Sequence, residues 1–387
     1  MTYTRKRFNR YELREKNDML RIGTVGPTFP PFEGIPKTAK NIEEKGYASI
    51  WFPDHLMGWW PQSIWTPEIV GGFATYSPHT FFETTLSIAA AASASRNLIV
   101  GSAVTEPIRH HPAMIAQSYA TLEHITKGRC ILGIGAGEKE NVEPYGLRYE
   151  KIVSRLEESL RIIRLCWNSK RDELLNFDGD FWKLKDAVFE LPPLKERPPI
   201  WIGGVRERMC RLVGRYGDGW LPFSVDLEMY KDKLQLIEEA AKKAGRDFDK
   251  ITKGLYTSVI IDRDHDECLR VMDTPSIKAK ALSTPAYVFK KYGLEHPLGK
   301  DFYGLTDFVP SRISKKDVFD AMDKIPLDVI QETYLWGTPD EIIEKLEKFA
   351  DLGLEHLVIW NETYFGDFGK VKSSYKCLGE VLDHFKE

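Results

Sequence analysis

Short runs of β-branched and aromatic residues alternate along the chain with longer runs whose apolar positions recur at helical spacing. That alternation predicts parallel strands linked by helices. Strands are expected at 20–25, 48–53, 98–104, 129–134, 199–203, 218–222, 253–260 and 356–360. Helices are expected at 36–46, ending at Gly46 as a C-terminal glycine should, at the alanine-rich 81–95, and at 112–127. Eight strand candidates, most flanked by a helix, predict a closed (β/α)8 TIM barrel. A doubly wound open sheet is the weaker reading, because it needs a G-x-G-x-x-G turn after an early strand. Here the glycine-rich turn Gly133-Ile134-Gly135-Ala136-Gly137 comes late and runs into Glu138-Lys139-Glu140-Asn141, not into an evident helix.

Three stretches are too long to be simple connections: 54–82, 168–198 and 262–337. The first is dense in aromatics, prolines and glycines, and the second contains a hairpin-like turn at Phe177–Trp182. No Gly/Ser or Pro-rich linker separates them from the rest. All three are therefore expected to be insertions into one domain spanning 1–387.

Composition changes this picture little. The 387 residues are 42% hydrophobic and 29% charged, enough apolar material for a large core. The net charge of −3 leaves no broad electrostatic footprint for nucleic acid, and Arg5-Lys6-Arg7 reads as a solvated arm. No apolar run reaches the roughly 18–20 residues that span a bilayer, and the polar start is unlike a signal peptide. A cytoplasmic protein without a membrane span is expected. The five cysteines are scattered, odd in number and without a C-x-x-C pair, so buried reduced thiols are expected.

In a TIM barrel the reactive groups belong at the C-terminal ends of the strands. His55, beside Asp54 at the end of the second strand, could accept a proton from an alcohol or return one to a carbonyl. Glu138 follows three glycines that let the backbone approach a flat ring, and a partly desolvated carboxyl there would have a raised pKa. An exposed loop glutamate is the equal alternative. Gly203-Gly204 followed by Val205 and Arg206 suggests backbone N–H groups at a helix start, a generic anion site, or simply a tight turn. His110 and His111 are adjacent and cannot face one point, and neither H-E-x-x-H nor G-x-S-x-G occurs. No metal site and no hydrolase are expected.

Taken together, these strand ends resemble the luciferase-like superfamily of flavin-dependent barrels, and more closely its branch that uses the deazaflavin coenzyme F420. The resemblance runs from about Leu20 to Ser224, with a weaker return over Trp336–Glu341 and His356–Val358. Asp54, His55 and Trp59 match the branch's Asp-His and the tryptophan four residues on. Gly133, Gly135, Gly137, Glu138 and Asn141 match its glycine-rich Gly-Glu-x-x-Asn segment. Ser102-Ala103, just before Thr105, matches the pair that often forms a cis peptide under the deazaflavin ring. Gly203 and Gly204 match the phosphate-binding glycines, and Gly217-Asp218-Gly219 matches a Gly-Asp-Gly segment.

The resemblance implies F420, with FMN as the alternative, and hydride transfer between the deazaflavin C5 and an alcohol or ketone carbon. His55, Glu138 and Trp59 would be catalytic: His55 the base for the substrate hydroxyl, Glu138 the proton donor to the ring nitrogen, and Trp59 the wall of the reacting centre. Asp54, Ser102, Ala103, Thr105, Gly135, Gly137, Asn141, Gly203, Gly204 and Val205 would hold the cofactor. An FMN-dependent monooxygenase and an F420-dependent methylene-tetrahydropterin reductase are the alternatives. Sugar-phosphate members place a lysine after the sixth strand, where this chain reads Pro222-Phe223-Ser224-Val225-Asp226. They also carry a glutamate soon after the first strand, where Thr28-Phe29-Pro30 stands, with Glu33 only nearby. A sugar phosphate is therefore not expected. The aromatics Trp59, Trp60, Trp65, Phe73 and Tyr76 point equally to an apolar substrate or to packing of an insertion. The resemblance also implies a homodimer.

Overall fold

The eight apolar runs become parallel strands because most are short, rich in β-branched or aromatic residues and buried on both faces. The computed structural model describes residues 20–194 and 197–386, so Arg5-Lys6-Arg7 lies outside the described residues. The strands are β1 (Arg21–Val25), β2 (Ser49–Phe52), β3 (Ile99–Ser102), β4 (Cys130–Ile134), β5 (Leu175–Asp178), β6 (Lys183–Ala187), β7 (Ile200–Gly203), β8 (Gly219–Leu221), β9 (Thr252–Ile261), β10 (Leu335–Gly337) and β11 (His356–Asn361). The ring runs β1-β2-β3-β4-β7-β8-β9-β11 and closes on β1, every pairing parallel. This is the expected barrel. The strand that sequence reasoning did not find, β10, pairs with β9 at Val259–Ile261, beyond the Thr252–Lys253 stretch that holds β8.

The expected helices occupy 34–44, 84–94 and 112–126. The last opens with Pro112, whose missing N–H costs nothing at a helix start, and stops at Lys127 in the left-handed region. The helix Pro339–Asp351 carries a capping box between Thr338 and Glu341. No described helix is long and apolar enough to cross a membrane. All five cysteines are buried and unpaired with one another.

Inside the ring, aromatic side chains fill the barrel in layers. Trp51 and Trp201 lie 5.2 Å apart, and the Ser49 hydroxyl bridges Trp51 Nε1 and His356 Nε2 at 2.7 Å each. A Cβ on Gly219 would fall 2.6 Å from the Trp201 ring, so glycine is what lets the indole lie across the barrel. Above this layer come Tyr256, Phe223, Val104 and Trp360, which form the floor of the site.

Two of the long stretches, 54–82 and 262–337, pack together, while 168–198 packs on the main core. Residues 168–198 contain the antiparallel β5–β6 hairpin, as its turn predicts. Residues 262–337 fold into five helices before β10. They bury Ile277, Phe289, Val318 and Ile330 against Trp60, Ile64 and Phe365 in a second apolar core. That core explains most of the aromatics in 54–82. Trp60 donates to Ser276 O at 2.9 Å and Trp65 to Tyr76 O at 2.9 Å, so both serve packing; Trp59 alone of the tryptophans there also contacts His55.

One backbone expectation needs correction. The cis peptide lies at Ala103–Val104, not at Ser102–Ala103. Ala103 N still bonds Phe52 O at 2.9 Å, so the β2–β3 ladder keeps the chain regular through Ala103 and it departs only afterwards.

Candidate functional site

The chain leaves β2 through Pro53, whose carbonyl accepts from Thr84 Oγ1 at 2.8 Å, and this delivers Asp54 and His55 to the mouth of the barrel. Asp54 is a hub. Its Oδ2 accepts from Thr105 Oγ1 at 2.6 Å and contacts His110 Nε2 at 3.1 Å, while Oδ1 lies 3.3 Å from Arg109 Nη2. Burial alone would raise the Asp54 carboxyl, but His110, Arg109 and Thr105 together hold it well below the usual carboxylate range. In return Asp54 raises His110. Arg109 is fixed by Glu106, whose Oε1 accepts from Arg109 Nε at 2.7 Å.

This network makes a pH-dependent contribution to stability. A folded carboxyl held below its unfolded value stabilises above about pH 4, and the contribution fades as pH falls through the folded value. Asp54→Asn is therefore expected to cost about 1–3 kcal/mol at pH 7. The gap from the parent should narrow below pH 4, as checked by thermal melts at both pH values.

His55 is buried, and its environment is unusual. Nδ1 lies 3.0 Å from Met57 O, 2.8 Å from Asn141 Nδ2 and 3.2 Å from Glu140 Oε1, while Nε2 lies 3.6 Å from Glu138 Oε2. The Asn141 amide is oriented by its own Oδ1, which accepts from Leu56 N at 2.7 Å and Met57 N at 3.1 Å. Burial pushes His55 down to about 4, against the opposing pull of the Met57 carbonyl, so the ring is neutral near pH 7. Burial pushes Glu138 up to about 7, although the Trp59 indole, Arg109 and Glu140 all favour its charged form. Glu140, with no exposed surface, is raised well above the carboxylate range by burial and then by the charge of Glu138. The His55–Glu140 contact is thus a close approach of neutral groups and not an ion pair.

Trp59 covers His55 with ring centroids 4.3 Å apart and also meets Phe81 and Trp360. Beside it, β4 and β7 end in glycines over Val104. A Cβ on Gly135 would stand 2.9 Å from Val104 Cγ2, while one on Gly203 would make ordinary 3.5 Å contacts. Tyr149 OH donates to Gly137 O at 2.9 Å and Trp220 Nε1 to Gly204 O at 2.9 Å, which pins both turns. Val205 follows Gly204, and the helix Glu207–Tyr216 begins two residues later. The result is a platform of glycine backbone ending at a helix start, bordered by Trp59, His55 and Glu138. Trp59 Nε1, Glu138 Oε2, Glu140 Oε2 and Tyr256 OH are buried without a hydrogen-bond partner in the protein. The Trp59 N–H faces Glu138 without meeting hydrogen-bond geometry.

One expected cofactor residue, Ser102, and the aspartate of the Gly-Asp-Gly segment lie elsewhere. Ser102 has no exposed surface; its hydroxyl donates to Gly133 O at 2.7 Å and accepts from Tyr119 OH at 2.5 Å, so it braces the barrel wall. Asp218 precedes β8 at the opposite end of the barrel, where it accepts from Arg197 Nη2 at 2.8 Å and Ile200 N at 2.9 Å. Sequence reasoning missed the parts brought by distant segments: Arg109, Glu106, Tyr256 and a buried charge pair. In that pair the Lys280 ammonium meets Glu362 Oε1 and donates to Ser258 Oγ at 2.9 Å. Tyr334 OH donates to the other Glu362 oxygen at 3.0 Å. The ammonium lies 4.3 Å from the Trp360 ring centroid and 5.9 Å from that of Trp59. Lys280 comes from the long 262–337 stretch, with nothing in its local pattern to mark it.

The architecture recurs in known proteins. The chain is 37% identical over 346 residues to a phthiodiolone/phenolphthiodiolone dimycocerosates ketoreductase of Mycobacterium kansasii, covering 88% of this chain and 93% of that protein. It is 29% identical over 338 residues to an F420-dependent glucose-6-phosphate dehydrogenase of Nakamurella multipartita, covering 85% and 86%. Its fold matches the solved structure of an F420-dependent secondary alcohol dehydrogenase in complex with an F420-acetone adduct. There the TM-score is 0.72 at 21% identity, covering 94% of this chain and 99% of that one. The model of the luciferase-like monooxygenase family matches residues 16–356, and the chain belongs to that family.

Proposed function

We propose that the chain is an oxidoreductase that holds a deazaflavin of the F420 type and moves hydride between it and the carbinol or carbonyl carbon of an apolar alcohol or ketone. The observation that carries this reading is the pairing of a neutral His55 with a proton-holding Glu138, 3.6 Å apart, at the edge of the glycine platform. The names of the relatives, a ketoreductase and an F420-dependent dehydrogenase, support it.

The platform fits a flat tricyclic ring. Gly135, Gly137, Gly203, Gly204, Val205, Ala103 and Thr105 offer backbone and little side chain, while the unpartnered Trp59 N–H and Tyr256 OH await polar groups. Asp54 and Asn141 keep the border rigid through the bonds described above. When bound, the deazaflavin supplies a carbon that gives or takes hydride. His55 Nε2 takes the substrate hydroxyl proton in the oxidising direction and returns it in the reducing direction. Glu138 holds the second proton and can recover one from His55 Nε2 after turnover. Lys280 is already neutralised by Glu362, which favours an uncharged substrate over a phosphate ester.

The pH dependence follows. Alcohol oxidation needs His55 deprotonated and Glu138 protonated, so kcat/KM should rise through about pH 4 and fall through about pH 7. Glu138→Gln should slow turnover and abolish the alkaline fall. The direct test is anaerobic: reduced F420 and a medium-chain aliphatic ketone should yield oxidised deazaflavin in the presence of the protein. Absence of turnover with ketones, alongside oxygen-dependent turnover of reduced FMN, would contradict the reading.

A further inference from the structure

Glu140 has no part in the proton movements assigned so far, yet it is a carboxyl with no exposed surface beside the proposed base. His55 Nδ1 has three neighbours with conflicting demands. The Met57 carbonyl at 3.0 Å can only accept, whereas the Asn141 amide at 2.8 Å, oriented by its two backbone bonds, can only donate. These two alone would leave the imidazole tautomer undecided. Glu140 Oε1, 3.2 Å from Nδ1, sets a second oxygen beside it, and its negative potential favours a proton on Nδ1.

The far sides of both carboxyls make the same point. Glu138 Oε2 and Glu140 Oε2 are buried and lack partners, and one carboxylate oxygen each of Glu138 and Glu140 and one ring nitrogen of His55 lie within 4.8 Å of one another. Two adjacent carboxylates in a desolvated site cannot both stay ionised. A single O–H between them satisfies both orphaned oxygens.

We propose that Glu140 is a positioning residue: it keeps a proton, donates it to Glu138, accepts the N–H of His55 Nδ1, and so leaves His55 Nε2 as the lone-pair nitrogen that faces the substrate. Its effect on turnover rests on the hydride-transfer reading above; its effect on the tautomer does not. Raised carboxyls on both Glu138 and Glu140 agree with the shared proton.

The test uses the full chain without cofactor, with its histidines labelled with nitrogen-15, and reads the His55 ring shifts at pH 7. The parent protein should show the Nδ1–H tautomer. Glu140→Leu, close in volume and unable to accept, should shift the population toward Nε2–H. It should also lower kcat about ten-fold or more, with the substrate KM and deazaflavin affinity changed less than about threefold. Glu140→Gln can accept at its carbonyl and donate from its amide, so it should restore the Nδ1–H tautomer and recover most of the activity that leucine loses. An unchanged tautomer in Glu140→Leu overturns the proposal, and so does an Nε2–H tautomer in Glu140→Gln. If the parent protein does not bind deazaflavin, the reaction proposed above falls, while the ring shifts still decide the role of Glu140.

Discussion

Replacing His55 by alanine is expected to cut turnover by about 10²–10⁴, the range for loss of a positioned acid–base group. Deazaflavin affinity should change less than about threefold, because the residues expected to hold the ring are backbone glycines and not the imidazole. The prediction is sharp because burial depresses His55 to about 4, so the ring is a neutral acceptor across the working pH range. Asn141 keeps its two backbone bonds through Oδ1, and the border should hold. Steady-state rates and a fluorescence titration on the same preparation separate the two effects. Full activity in the variant would show that another group takes the hydroxyl proton.

The largest effect on stability is expected at Glu362. It is fully buried, and Glu362→Ala would strand the Lys280 ammonium among the rings of Trp60, Phe223, Tyr334 and Trp360. Removing one partner of a buried ion pair costs about 3–5 kcal/mol, since the remaining charge has lost its compensation. Burial already lowers the Lys280 pKa, opposed by Glu362, so without Glu362 the amine should shed its proton more readily. The double variant Glu362→Ala, Lys280→Met removes the stranded charge and should recover part of the loss. Thermal or urea unfolding of the parent, single and double variants checks the order. A single variant as stable as the parent would mean that the pair is not desolvated as described.

Much of this fold could be read in the sequence because its strands are fully buried runs of β-branched and aromatic residues, and that pattern is local. The eight ring strands fall where the pattern puts them, with ends shifted by a residue or two. The exception, β10, is three residues long and pairs only with the upper part of β9, so its sequence, Leu335-Trp336-Gly337, has no periodicity to detect. The cis bond fell one residue beyond its expected place because the strand's hydrogen bonding persists through Ala103.

The site was legible where one segment supplies it. Asp54, His55 and Trp59 follow a single strand, and Glu138 and Asn141 follow another. Within Glu138-Lys139-Glu140-Asn141 the sequence did not reveal that Glu140 also turns inward. The 3-10 turn at Lys139–Asn141 does this, burying Glu140 and Asn141 together. The Lys280–Glu362 pair joins residues 82 positions apart, and no local pattern records such a contact. Aromatic density in 54–82 was ambiguous for the same reason: the partners that divide packing residues from site residues come from 262–337.

The most direct test of the central claim is a pair of fluorescence titrations, one of the purified protein with F420 and one with FMN. The account predicts saturable quenching of the deazaflavin at micromolar concentrations or below and much weaker binding of FMN. Tight FMN binding with no response to the deazaflavin would contradict it.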